Sequence, residues 1–166
     1  MTVTQSVKHP GVVRMRGRDF PVGDMCWRRA FPGLRPQARR ARDFVGFLVE
    51  GSPRADDLIL AAGELVANAL QHTRSGCPGG LFVVEVRRWR GGVALTVIDQ
   101  GGPNEPRRGT AGGPMAADLG DFDFAESGRG LFAVEMTASW WDWCGGFCGR
   151  TVTAVYDDRP RLHPVP

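Results

Sequence analysis

The most constraining stretch of the chain is Gly63-Glu64-Leu65-Val66-Ala67-Asn68-Ala69-Leu70-Gln71-His72. Glu64, Asn68 and His72 recur every four residues, and on an α-helix each such step turns only about 40°. The three polar groups therefore form a ladder along one helix face, while Leu65, Val66, Ala69 and Leu70 suit a core. Asn is a mediocre residue for a helix interior, because its amide competes with the backbone for hydrogen bonds. Its presence beside apolar neighbours points to a specific partner for its side chain. The alternative is a solvent-facing ladder with no task.

The chain surrounding this helix is that of a soluble domain. It has 166 residues, 42% hydrophobic and 23% charged, enough for one domain with a real core. The net charge of +3 is compatible with an anionic ligand but is not that of a nucleic-acid binder. Lys8 is the sole lysine, so the cations are almost all arginines. No apolar run approaches about 18 residues, and residues 1 to 20 carry no apolar signal core, so neither a membrane span nor a secretion signal is expected. Cys26, Cys77, Cys144 and Cys148 make no CxxC pair, and the histidines at 9, 72 and 163 do not complete a zinc pattern. Free thiols in a reducing cytoplasm are the expectation.

In chain order, residues 1–24 lack periodicity and read as an arm or an extra edge strand. A short strand over Cys26–Phe31 closes at Pro32-Gly33. From Pro36, Ala38, Ala41, Phe44, Val45, Leu48 and Val49 repeat at three and four, with Arg39, Arg40 and Arg42 opposite, which predicts a helix ending at Gly51. Ser52-Pro53 reads as the cap and first-turn proline of the second helix, with Asp56 and Asp57 at its positive end. That helix carries the polar ladder and should stop near Ser75-Gly76. Leu81–Trp89 alternates as a strand, Arg90-Gly91-Gly92 as a hairpin turn, and Val93–Asp99 as the return.

Asp99 therefore falls on the face of Val93, Leu95 and Val97, where a carboxylate is expensive to bury unpaired. It is either a site residue or a turn cap. Gly101–Ser127 is a long Gly-, Pro- and Asp-rich connection of the kind used as a lid. A glycine-rich helix start follows at Gly128-Arg129-Gly130-Leu131, where backbone N–H groups can meet an anion. Two final strands, Ser139–Cys144 and Gly149–Tyr156, are expected to join at Gly145-Gly146, with Trp140, Trp141 and Trp143 as core and edge packing. Residues 25–157 read as one domain and 158–166 as a tail.

Which phosphate-binding chemistry this is can be narrowed. A Walker A loop needs Gly-Lys, and the nearest run, Cys144–Thr151, has Cys144 for the first glycine and Arg150 for the lysine. Gly128-Arg129-Gly130 with Ala133 fits G-x-G-x-x-A, but late in the chain and after a long loop rather than after a first βαβ strand. What remains is an ordered set. Glu64-x-x-x-Asn68 lies on a helix, Asp99-Gln100-Gly101-Gly102 at a strand end, Gly128-Arg129-Gly130-Leu131 after a lid, and Gly149-Arg150-Thr151-Val152 at the start of the last strand. This order, over residues 31 to 156, resembles the GHKL ATPase superfamily of DNA gyrase, histidine kinases and MutL. It is most similar to the stand-alone anti-sigma factor serine/threonine kinases, in Phe31-Pro32-Gly33, in Glu64–Ala69 and in the closing Gly149–Val152. A full histidine kinase would need a dimerisation helix with a phosphoacceptor histidine, for which there is no room.

The resemblance implies an α+β, two-layer sandwich of the Bergerat ATP-binding type, with a mixed, mostly antiparallel sheet covered by helices on one face. It implies ATP and Mg²⁺ as cofactors, with Asn68 as the metal ligand and Glu64 as general base. Asp99 would accept from the adenine amino group, and Gly101 and Gly102 would let the backbone approach the base. Gly128, Arg129, Gly130 and Leu131 would meet phosphate, and Thr151 would support the adenine pocket; His72 would be structural. The expected activity is phosphorylation of an anti-anti-sigma protein by a factor that also sequesters a sigma factor, without touching DNA; the resemblance also implies a homodimer. The competing expectation is an ATP-holding, partner-sequestering module that transfers nothing. Two departures bear on that choice. Pro103 stands at the second glycine position of Asp-x-Gly-x-Gly, and Arg150 replaces a common lysine.

Overall fold

The computed structural model describes residues 12–15, 18–21, 25–103 and 129–158, with side chains described over 25–103 and 131–158. The arm folds as two short strands, β1 (Val12–Met15) and β2 (Arg18–Pro21), which pair with each other as a separate antiparallel ribbon. The main sheet is built from β3 (Met25–Pro32), β4 (Leu81–Trp89), β5 (Gly92–Asp99), β6 (Trp140–Gly146) and β7 (Gly149–Asp157). Its order is β3-β4-β5-β7-β6, and every pairing is antiparallel. Three helices complete the fold: α1 (Arg35–Leu48), α2 (Ala55–His72) and α3 (Arg129–Thr137).

Strand alternation decides which face is the core. Trp27, Val86, Leu95, Ala154 and Trp141 form one row across all five strands, and Arg29, Val84, Val97, Val152 and Trp143 form the next. Against these rows pack Ala38, Ala41, Val45 and Leu48 of α1, Leu58, Ala61, Ala62, Leu65, Val66 and Ala69 of α2, and Leu131 and Val134 of α3. Phe31 stacks on Phe82 at 5.4 Å and meets Phe44 edge-on at 6.0 Å, joining β3, β4 and α1. The opposite face carries a polar row, Arg28, Glu85, Thr96, Thr153 and Asp142. At its centre Thr96 and Thr153 share a hydrogen bond of 3.0 Å, and buried Glu85 accepts from Arg87 at 2.6 Å.

The sequence-based boundaries move in three places. Helix α2 starts at Ala55 rather than at Ser52-Pro53, because Ser52 closes a turn first: its Oγ accepts from Arg54 N at 3.2 Å and its carbonyl from Ala55 N at 3.1 Å. It ends at His72, where Thr73 swings to φ −131°, ψ 170° and a short 3-10 turn over Arg74–Gly76 takes over. The last hairpin turns at Phe147-Cys148, not at Gly145-Gly146. Gly145 stays inside β6 at φ 108°, where a Cβ would lie 2.2 Å from Gly149 O. The four cysteines are free and exposed, and no helix among the described residues is long and apolar enough to cross a membrane.

Candidate functional site

Helix α2 presents its polar ladder beside, not within, its buried stripe. Asn68 lies half-buried, one step round from Leu65 and Ala69. Its Nδ2 is shielded from solvent and has no hydrogen-bond partner among the described residues. A buried amide end without a partner costs roughly 1–3 kcal/mol, so it marks a place where a partner is meant to arrive. One turn earlier, burial pushes the Glu64 carboxyl above its usual range, against the opposing pull of Arg42 on α1. A carboxylate so placed is a better proton acceptor than a solvated one.

Asp99 is the last residue of β5, on the core face and only 7% exposed. Its Oδ1 accepts from Gly101 N at 2.6 Å, so it does cap its own turn. That uses one oxygen; among the described residues nothing donates to Oδ2. Burial raises the pKa of this carboxyl, while the Gly101 N–H and the nearby Arg150 charge pull it down.

The glycines after Asp99 are required by the protein's own backbone. Gly101 has φ 69°, and a Cβ there would lie 2.3 Å from Gly146 O and 2.4 Å from Phe147 O. A Cβ on Gly102 would lie 2.7 Å from His72 O, at the end of α2. Three chain ends therefore meet here: the C-terminus of α2, the C-terminus of β5 and the β6–β7 hairpin. Arg74 ties them together. Its N–H donates to Gly101 O at 2.8 Å, its Nη2 to Gln100 O and to Phe147 O, each at 2.8 Å, and its guanidinium lies 4.8 Å from the Phe147 ring centre. Fully buried Ser75 accepts from Gln100 N at 2.9 Å, and Gln100 Oε1 from Leu81 N at 3.2 Å. No motif or periodicity in the sequence marks Arg74, Ser75 or Gln100 as part of this junction. Only their position just past the helix and strand ends could have suggested them.

Helix α3 closes the other flank. Arg54 Nη2 donates to Thr137 O, which holds the end of α3 at the start of α2. The helix packs along α2, and its eight residue steps span about 12 Å, which carries its first turn toward the Glu64 level. Arg129 and Gly130 lie in that turn, and Leu131 is buried in the core. Gly128 lies outside the described residues, as do the lid residues Asn104, Arg107, Arg108 and 118–123.

Thr151 is not brought to Asp99. It pairs with Ile98 and faces the opposite side of the sheet. The β7 residue directly across from Asp99 is Arg150, 4% exposed, its guanidinium 5.7 Å over the Trp143 ring and its Nη2 3.3 Å from Gly102 O. This is a correction forced by the two-residue period of a strand: residues 150 and 151 cannot share a face. A cavity of about 310 Å³ beside the C-terminal half of α2 is lined by Gly33, Arg35, Ala67, Leu70, Gln71 and Gly76, none of them a site residue expected from the sequence. Among the described residues no group of three His, Cys, Asp or Glu is placed to hold a metal ion.

A helix bordered by a half-buried Asn, a neighbouring strand ended by a buried Asp and a glycine turn packed against the helix end lie together in a two-layer α+β sandwich. The chain belongs to the histidine kinase-like ATPase domain family, whose profile matches residues 34–154. Membership makes ATP the ligand class of the domain. Among solved structures it is similar to the RsbU and RsbW domains of Rv1364c from Mycobacterium tuberculosis, with TM-score 0.57 and 20% identity over 80% of this chain. The match spans 32% of that longer chain, and at this identity the likeness is one of fold. No curated protein sequence matches.

Proposed function

We propose that this chain is an ATP- and Mg²⁺-dependent serine/threonine protein kinase of the anti-sigma type, which phosphorylates an anti-anti-sigma protein and sequesters a sigma factor in the cytoplasm. The observation that carries the reading is the pairing of a partnerless, buried Asn68 amide with a buried Asp99 carboxylate in a chain of the ATPase family. Asp99 Oδ2 accepts from the adenine amino group, and guanine, with a carbonyl there, is refused. Asn68 offers its Oδ1 to a hard cation that arrives with the nucleotide, since Mg²⁺ needs only one or two protein ligands beside phosphate and water, while its unpaired Nδ2 is a donor suited to a phosphate oxygen. Mg²⁺ bound there supplies charge neutralisation on the phosphates. Backbone N–H groups of the first turn of α3, at Arg129, Gly130 and Leu131, face phosphate oxygens. In transfer, the substrate hydroxyl oxygen bonds to the γ-phosphorus, the bond from phosphorus to the β–γ bridging oxygen breaks, and ADP leaves. The hydroxyl proton passes to the Glu64 carboxylate, whose raised basicity suits that task.

Thermal unfolding with Mg-ATP, with Mg-GTP as control, tests the nucleotide site. Ligand at about 100 times its Kd adds roughly 2.7 kcal/mol, or about 5–10 °C for a domain of this size. A shift with neither nucleotide refutes the reading. Glu64→Gln tests the chemistry: transfer to the partner falls by about 10²–10⁴ while the ATP shift is kept. A wild-type protein that binds ATP and transfers nothing supports the second reading, a sequestering module, for which the proline at 103 is the motivating departure.

A further inference from the structure

Arg150 occupies a position that the motif assigns no role. Directly opposed residues of antiparallel strands project to the same face with Cβ atoms about 4.5–5.5 Å apart, so Arg150 and Asp99 share one patch of the core face. An arginine this long normally reaches for solvent, yet this one is buried. Its guanidinium is kept inside by the Trp143 ring, and it reaches the turn after Asp99 through Gly102 O. A guanidinium stays charged at any pH the fold survives, so a fixed positive charge lies beside the Asp99 carboxyl.

The surroundings on the other sides do not duplicate it. On the β4 side stands apolar Phe82, one step beyond the pairing of Val83 with Ile98. From the end of α2 comes His72, whose carbonyl packs at Gly102. From the 3-10 turn comes Arg74, spent on the carbonyls of Gln100 and Phe147 at the exposed side. The hairpin contributes Phe147 and glycines, and Glu64 lies more than two turns down α2. Among the described residues, Arg150 is the cation whose charge acts on the Asp99 carboxyl.

We propose that Arg150 is a positioning residue of the base subsite: its buried guanidinium holds Asp99 in the ionised, hydrogen-bond-accepting form and steadies the Gly101–Gly102 turn. Burial alone drives an isolated carboxyl toward its neutral form. A neutral Asp99 presents an O–H donor, which clashes with the amino donor of adenine. The Gly101 N–H on Oδ1 favours the ionised carboxyl more strongly, and the Arg150 charge adds to it. Thr151, facing away, cannot serve this role.

The inference rests on the reading of Asp99 as the adenine acceptor, and two readouts let the two fail separately. The first follows the Asp99 carboxyl carbon by NMR through pH 3–8 in the ligand-free full chain, for wild type, Arg150→Gln and Arg150→Lys. Arg150→Gln can keep a donor for Gly102 O and removes the charge; its Asp99 midpoint rises by about one pH unit, and Arg150→Lys restores most of the difference. The second measures Mg-ATP affinity through the same pH range. The acid limb of binding moves up with the Asp99 midpoint in Arg150→Gln, whereas a purely structural defect weakens binding equally at every pH. An unmoved Asp99 midpoint overturns the inference whatever ATP does. A midpoint that moves without any change in the pH profile of ATP binding upholds the action of Arg150 on Asp99 and overturns the adenine contact instead. Should Arg150→Gln fail to fold, Arg150→Met and the Arg150→Lys midpoint decide in the same terms.

Discussion

Replacing Gly101 by alanine should damage this protein far more than a one-methyl change at a surface turn. At φ 69° an alanine backbone is in the left-handed region, at a cost of about 1–2 kcal/mol. The new Cβ would lie 2.3 Å from Gly146 O, 2.4 Å from Phe147 O and 2.6 Å from Phe147 C, where ordinary contact begins near 3.4 Å. These are backbone atoms of a hairpin held by Arg74, so relief requires the hairpin to move by about 1 Å, an overpacking cost of roughly 1–3 kcal/mol. Together that is about 2–5 kcal/mol, or a fall in Tm of about 5–15 °C at this size. Gly146→Ala is the control: it is on the same hairpin, but a Cβ there meets nothing within 4 Å, and its effect should stay within about 0.5 kcal/mol. Differential scanning calorimetry of the two variants with the wild type decides it. Gly101→Ala should also lose the Mg-ATP-induced shift, because Asp99 depends on the Gly101 N–H. Equal Tm values for the two variants would refute the placement of the Asp99 turn against the hairpin.

Other expectations follow from the same geometry. Asp99→Asn should abolish the Mg-ATP shift without lowering the ligand-free Tm at neutral pH. The folded carboxyl has a raised pKa, so its contribution to stability is full below its ordinary 3.8 and is lost as pH rises through the folded value. Asparagine removes the cost of the buried charge above that window and still accepts from Gly101, so Tm curves over pH 3–8 should converge only at the acid end; an Asn variant that melts well below wild type at pH 7.5 contradicts this. Ser75→Ala leaves Gln100 N without its acceptor at a fully buried site and should cost about 1–3 kcal/mol, read as a lowered urea midpoint with unchanged m-value.

Much of this architecture could be read from residue periodicity, and the reason is physical. Phe82, Val84 and Val86 in Leu81–Trp89 and Val93, Leu95 and Val97 in Val93–Asp99 recur at every second residue because that face is packed, so both strands and the inward Asp99 emerged without tertiary information. Helix α2 was legible for the matching reason, a wide apolar stripe with a polar ladder at its border. Its start was not. Ser52 is a sound cap by residue type, but it caps a turn that precedes the helix, a choice made by the chain path from α1. The clamp formed by Arg74 spans contacts 26 and 73 residues away in sequence, and no local pattern encodes such a meeting.

The misplacement of Thr151 is more instructive, because the information was present. Val152, Ala154 and Tyr156 alternate inward, and one step back along the same register falls on Arg150. Matching the four-residue motif favoured the threonine, and the general rule that arginine is exposed hid its neighbour. Both rules are averages over sites whose charges are solvated. Here a guanidinium is buried over an indole, donates to a turn carbonyl and lies in register with a carboxylate across the strand. Asp99 and Arg150 are therefore best read together. Each is out of place by composition alone, and Arg150 offsets only part of the desolvation that raises the Asp99 pKa. A strand-end carboxylate that must stay an acceptor in an apolar sheet selects a fixed cation opposite it, and strand alternation, rather than the motif, identifies which residue provides it.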